Sequence, residues 1–161
     1  MPPAAVARPW SPPEGSDPMR YLIATDGSPA SLKAARFLLD HACPGPDDEI
    51  FVTYVFPLPP DPECYDHMLS LPDRSDDERV VRAATPILTR TLDVLSSAGS
   101  NLREVILVGH PAKEIVEFAM NLGVDLIVAG PRGRSLASEL YLGSVSSALV
   151  HRAHCSVLIV R

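Results

Sequence analysis

Short apolar runs alternate with segments of helical periodicity from Tyr21 to the C-terminus. The apolar runs are nearly continuous, as in strands buried on both faces, and they cover residues 21–25, 49–56, 103–109, 124–130 and 155–161. Apolar residues recur at helical spacing in the intervening segments 28–41, 78–98, 111–122 and 144–153. Alternating strands and helices of this kind predict a single Rossmann-like α/β domain, a five-stranded parallel sheet with helices on both faces.

Prolines mark several boundaries of the predicted elements. Ser28 followed by Pro29 is typical of an N-cap residue with proline at the first helical position. Pro86 lies inside the segment 78–98 and should kink that helix or divide it after Thr85, because proline lacks an N–H and its ring crowds the preceding turn.

The first 18 residues contain six of the chain's 17 prolines and show no periodicity. We expect residues 1–18 to form a disordered extension and residues 19–161 to form the folded domain, with Met19 a candidate start of translation. A second proline-rich stretch, residues 57–77, is predicted to be a long irregular connection.

Composition narrows the classes of partner. The chain of 161 residues has a formal net charge of -6, which argues against a general nucleic-acid-binding domain because those are usually basic. We find neither an apolar run of membrane-spanning length nor the apolar core of a signal peptide. The three cysteines are scattered and form no C-x-x-C, which favours a reducing compartment. We therefore expect a cytoplasmic protein with no membrane or nucleic-acid partner.

The stretch GPRGRSLASELYLGS, residues 130–144, carries the main functional signal. It follows the fourth predicted strand and leads into a helix, and ligands of open α/β sheets bind beyond the carboxyl ends of the strands. A helix N-terminus suits phosphate, glycines let backbone amides approach it, and the neighbouring serines and arginines could add hydroxyl donors and positive charge. The structural alternative is a loop whose glycines merely end one element and begin the next.

Other polar residues have competing interpretations. Asp26 in the DGS turn either bonds its own backbone or contacts a ligand. His151, His154 and Cys155 are close in sequence, but a metal site needs further ligands, and late histidines more often favour the negative end of a helix dipole. His110 ends the third predicted strand. The chain has no G-x-x-x-x-G-K-[ST] motif, no G-x-S-x-G motif and no recognisable pair of catalytic carboxylates.

Three segments carry a resemblance to a known family. ATDGSPAS, GPRGRSLASELYLGS and HCSVLIVR resemble the universal stress protein family, and the similarity runs from Met19 to Arg161. The nucleotide-binding branch of that family has G-x2-G-x9-G-[S/T], which this chain matches at every defined position. The resemblance implies a strand order of 3-2-1-4-5, which places the ends of strands one and four side by side. The same order puts strand three, which ends at His110, at the far edge of the sheet and away from the crevice.

The resemblance also implies a function and a site. It implies an ATP-binding or adenine-nucleotide-binding regulatory module, with Mg²⁺ as a candidate companion ion, and a homodimer formed through residues 155–161. Ser156 replaces a proline usual before the last strand of the family. The alternatives are an interaction protein that binds no nucleotide and a slow ATPase or self-phosphorylating protein. The residues implied to surround the nucleotide are Ala24 and Asp26 at the ribose, Val55 at the adenine, and Gly130, Arg132, Gly133, Gly143, Ser144, Val145 and Ser146 at the phosphates.

Overall fold

The computed structural model describes residues 17–58, 75, 77–98, 101–133 and 142–161. Within them, five parallel strands form one sheet in the order β3-β2-β1-β4-β5, which confirms the predicted fold class and strand order. The strands are β1 (Arg20–Ala24), β2 (Glu49–Pro57), β3 (Asn101–Gly109), β4 (Leu126–Ala129) and β5 (Ser156–Ile159).

Helices cover both faces of this sheet. Those described are α1 (Pro29–Phe37), which continues into a π-helical turn (Leu38–Ala42), α2 (Glu78–Leu95), α3 (Pro111–Leu122) and α4 (Ser144–Arg152). Ile23 of β1 packs into the core under α1 and α2, whereas its neighbour Leu22 packs into the core under α3 and α4. Both side chains are fully buried, as expected for strands with nearly continuous apolar runs.

The start of α1 follows the sequence prediction. Ser28 is the N-cap residue, its side-chain oxygen accepts a hydrogen bond from the Ser31 N–H at 3.3 Å, and Pro29 occupies the first turn. This bond satisfies one of the backbone donors that every helix start leaves unpaired.

Of the two predicted effects of Pro86, a kink or a division after Thr85, the division is wrong, because α2 runs without a break from Glu78 to Leu95. Pro86 and Arg82, whose carbonyl loses its usual partner, are both exposed, so water can replace the missing N–H. Buried side chains of α2 on both sides of the proline, Ala84 and Leu88 among them, pack into the core. Their burial keeps the two halves of the helix together.

Several sequence-based expectations concern residues outside the described ranges. These are the disordered extension over residues 1–16, most of the proline-rich connection and Arg134. The domain boundary at residue 19 likewise stays a prediction, although the Met19 N–H donates to Asp48 Oδ1 at 2.8 Å. No helix in the described part of the chain is long and apolar enough to cross a membrane.

Candidate functional site

A cavity of about 410 Å³ opens at the carboxyl ends of β1, β2 and β4. β2 and β3 lie on one side of β1, and β4 and β5 lie on the other side of β1. The cavity therefore lies at the point where the strand order reverses, the usual ligand position in open α/β sheets. Its volume is within the range of small-molecule sites. All ten residues singled out from the sequence line it: Ala24, Asp26, Val55, Gly130, Arg132, Gly133, Gly143, Ser144, Val145 and Ser146.

One end of the cavity is formed by the glycine-rich segment and the start of α4. The Pro131 carbonyl accepts hydrogen bonds from the Gly143 N–H at 2.7 Å and from the Ser146 hydroxyl at 2.6 Å. These two bonds join the beginning and the end of the segment at its base. The N-cap residue of α4 is Gly143, which provides no side-chain cap, whereas Ser28 caps α1. The first turn of α4 thus lines the cavity with N–H groups that no N-cap side chain satisfies.

The three glycines make close contacts within the protein. A Cβ atom at Gly130 would lie 3.0 Å from the carbonyl carbon of Ala30, and one at Gly143 would lie 3.3 Å from the Cα of Arg132. A Cβ at Gly133 would lie 2.6 Å from Asp26 Oδ2. Protein atoms already occupy the space that these side chains would take. Gly130 and Gly133 let this segment pack closely against α1 and the turn after β1, and Gly143 lets the two ends of the segment approach each other.

Asp26 has the structural role that the sequence left open and also lines the cavity. Its Oδ1 accepts a hydrogen bond from the Ser28 N–H at 3.0 Å, which holds the turn after β1. Gly27 in this turn has a φ of +73°, a conformation that favours glycine. Below the turn, the buried Thr25 hydroxyl accepts from the Gly27 N–H at 3.2 Å and lies 2.9 Å from the Thr91 hydroxyl. The position of Asp26 is therefore set by a bonded turn.

The other end of the cavity is largely apolar. Val55, at 7% exposure, lies there with Pro57, Pro111 and Ile115. β3 lies at the edge of the sheet, as the strand order implied, and His110 at its end is not among the described residues that line the cavity. The helix that follows, α3, packs against β2 as well as β3, which brings Pro111 and Ile115 to the cavity.

Sequence reasoning did not single out eight of the residues that line the cavity. They are Thr25, Ser31, Thr53, Tyr54, Pro57, Pro111, Ile115 and Ala129. The period-two alternation of β2 could have indicated Thr53, because it lies on the same strand face as Val55. The residues of α3 had no comparable signal, since their position depends on how that helix crosses the sheet.

Charge at the cavity is sparse. Among the described lining residues, Asp26 and Arg132 are the two charged side chains. The described residues contain no group of three or more histidine, cysteine or acidic side chains able to hold a metal ion. His151 Nδ1 lies 2.7 Å from the Ser147 carbonyl oxygen, one turn earlier in its own helix.

Fold and cavity together define a doubly wound α/β protein with a small-molecule-sized site at its switch point. The model of the universal stress protein family matches residues 19–161. The universal stress protein MJ0531 of Methanocaldococcus jannaschii is 32% identical over 146 residues, which cover 88% of this chain and 81% of that protein. The universal stress protein YxiE of Bacillus subtilis is 31% identical over 146 residues, with 88% and 98% covered. The chain belongs to the universal stress protein family.

Solved structures show the same fold. Protein MJ0577 of Methanocaldococcus jannaschii matches with a TM-score of 0.71 and 22% identity, covering 88% of this chain and 94% of that one. A universal stress protein in complex with cAMP matches with a TM-score of 0.60 and 24% identity, covering 91% and 98%. The universal stress protein of Archaeoglobus fulgidus in complex with dAMP has a TM-score of 0.59 and 21% identity, covering 89% and 98%.

Proposed function

We propose that this protein binds ATP, or another adenine nucleotide, in the cavity between β1 and β4 and acts as a regulatory module. The observation that carries the proposal is convergence: separate segments after β1, in β2, after β4 and at the start of α4 meet at one cavity. The cavity has an apolar end and an end rich in glycine and serine, which matches the two ends of a nucleotide. The complexes of related proteins with cAMP and dAMP support the same ligand class.

The phosphates would lie at the glycine-rich end. There the first turn of α4, with Ser144 and Val145, offers backbone N–H groups and the positive end of a helix dipole. Arg132 adds a positive charge to an otherwise acidic protein. The Ser146 hydroxyl already donates to Pro131, so Ser146 would contribute through its backbone N–H.

The nucleoside would lie over β1 and β2. Val55 would contact the adenine, and Ala24 would line the ribose side. A carboxylate oxygen of Asp26 would accept a hydrogen bond from a ribose hydroxyl. Oδ1 of Asp26 is bonded to Ser28, which leaves Oδ2 for this role. A carboxylate oxygen beside phosphates is also a suitable ligand for Mg²⁺, and Asp26 would hold that ion.

The regulatory role would involve a homodimer in the cytoplasm. β5 lies at the edge of the sheet, and its residues Val157, Leu158 and Ile159 are only partly buried in the single chain. An apolar edge strand of this kind invites pairing with a second chain. Residues 155–161 would form the interface.

The leading alternative is a slow ATPase or self-phosphorylating protein. Fast phosphoryl transfer needs a group that positions the attacking oxygen as well as a clamp for the phosphates. The described lining residues include no histidine, and their one carboxylate is Asp26. We therefore propose nucleotide retention as the main activity. A nucleotide-free interaction protein is the second alternative, and the convergence of the glycine-rich segment on a cavity argues against it.

Mass spectrometry tests the proposal directly. The purified protein is denatured, and any small molecule released is identified and quantified against the protein concentration. We expect an adenine nucleotide, and calorimetric titration of nucleotide-free protein with ATP and Mg²⁺ should show saturable binding at one site per chain. The same titration is repeated with ADP and with AMP. Absence of binding for all three nucleotides would reject the proposal.

A further inference from the structure

Thr53 is a polar exception on an apolar surface. It lies in β2 on the face that carries Phe51 and Val55, under α3 and α4. Its neighbours across the sheet are Ala24 of β1 and Val105 of β3. Thr53 is 1% exposed and lines the cavity. A hydroxyl therefore stands in the apolar floor of the proposed nucleoside end.

The Thr53 hydroxyl has no hydrogen-bond partner among the described residues, although it is buried. The other buried hydroxyls in the described part of the chain have hydrogen-bond partners. Thr91 Oγ1 donates to the Ile87 carbonyl at 3.0 Å, and Ser31 Oγ donates to the Ser28 carbonyl at 2.9 Å. A buried polar group without a partner destabilises a fold, and such groups are rare in proteins. The Thr53 hydroxyl is therefore available for a hydrogen bond at the position where a ligand would lie.

We propose that the Thr53 hydroxyl forms a hydrogen bond with the edge of the bound nucleotide's base and so contributes to base specificity. This inference rests on the proposed function. Thr53 shares a strand face with Val55 and pairs across the sheet with Ala24, which places it at the nucleoside end. It is separated from the phosphate end because β1 lies between β2 and β4.

The chemistry of threonine suits this role. Its hydroxyl can both donate and accept, so it can pair with a ring nitrogen or an exocyclic group at the base edge. Rotation about the Cα–Cβ bond exchanges the positions of the hydroxyl and the methyl group among staggered rotamers. A base that lies on this floor can therefore form a hydrogen bond with the Thr53 hydroxyl, which is buried in the free protein.

Removal of the hydroxyl should change affinity and stability in opposite directions. Valine has nearly the shape of threonine but no hydroxyl, so Thr53→Val removes an unsatisfied group from the free protein and a bond from the complex. We expect the ATP affinity to fall about tenfold, the effect of one lost hydrogen bond. We expect the midpoint of thermal unfolding without nucleotide to stay unchanged or rise by about 2–4 °C.

The experiment measures ATP affinity by calorimetry and unfolding by scanning calorimetry for the wild type, Thr53→Val and Thr53→Ser. Thr53→Ser keeps the hydroxyl and should bind ATP within about threefold of the wild type, less than the loss of a whole hydrogen bond. Thr91→Val is the matched stability control, because Thr91 is equally buried but already bonded. Its unfolding midpoint should fall, in contrast to that of Thr53→Val.

Each unfavourable result has a distinct meaning. If the wild type binds ATP and Thr53→Val binds it equally well, this inference fails and the proposed function stands. A lower unfolding midpoint for Thr53→Val would show that the hydroxyl stabilises the fold. A large affinity loss in Thr53→Ser would assign the effect to the methyl group. Either result rejects the inference. If the wild type binds no adenine nucleotide, both the inference and the proposed function fail.

Discussion

The carboxylate of Asp26 lies directly against the backbone of Gly133. A Cβ atom at Gly133 would come within 2.6 Å of Asp26 Oδ2, closer than nonbonded atoms allow. The contact joins the turn after β1 to the glycine-rich segment after β4, two segments far apart in the sequence. A substitution at Gly133 should therefore change the position of the Asp26 carboxylate.

Gly133→Ala should weaken ATP binding by displacing Asp26. The added methyl group forces the carboxylate to rotate away, so we expect a loss of about 1–3 kcal/mol, comparable to the loss of a charge-assisted hydrogen bond. A double-mutant cycle with Asp26→Ala checks the mechanism by calorimetry. The alanine at position 133 should add little once Asp26 is gone, and additive losses would contradict the coupling.

Asp26→Ala should weaken ATP binding by about 1–3 kcal/mol if the carboxylate holds the ribose or an ion. Asp26→Asn is the informative companion, because an amide oxygen can still accept from the Ser28 N–H. Titrations with and without Mg²⁺ measure both variants. Wild-type affinity in Asp26→Asn, together with a loss in Asp26→Ala, would limit Asp26 to its role in the turn.

Gly143→Val should reduce ATP affinity at least about tenfold, since the side chain would push on the Arg132 backbone and move the phosphate end of the cavity. Gly45→Val is a matched control. Gly45 lies away from the cavity, and a Cβ there would meet only Asp48 Oδ2 at an ordinary 3.7 Å. Circular dichroism verifies that both variants fold. Unchanged affinity in a folded Gly143→Val protein would contradict the phosphate assignment.

The protein should be a homodimer through β5. Light scattering at micromolar concentration should give twice the chain mass, and Ile159→Lys should shift the protein toward the monomer because a charge on an edge strand opposes pairing. Val150→Lys changes an exposed apolar residue of α4 and should leave the dimer intact. A wild-type monomer, with and without ATP, would rule this interface out.

Bound ATP should turn over slowly. Phosphate release under saturating ATP and Mg²⁺ should stay far below the ~10 per second of a typical enzyme. A rate near that value, abolished by Gly143→Val and retained by Gly45→Val, would favour the ATPase alternative over the regulatory module.

The sequence by itself determined the class of fold and the segments of the candidate site. Burial on both faces of a parallel sheet requires nearly continuous apolar strands, so the pattern around Tyr21 and Ile127 is visible in the chain alone. Helix starts such as Ser28–Pro29 are equally local, because a cap involves residues only three apart. The glycine spacing from Gly130 to Gly143 indicated the ligand class through family resemblance.

Tertiary structure alone decided how those segments meet. Pro86 stays within a continuous helix because core packing on both sides outweighs a local preference. Pro111 and Ile115 reach the cavity because α3 crosses back over β2. Whether the Thr53 hydroxyl finds a partner, and what lies against Gly133, depend on atoms from distant parts of the chain. Local sequence patterns encode burial and helix ends, whereas such contacts exist only once the sheet has been assembled.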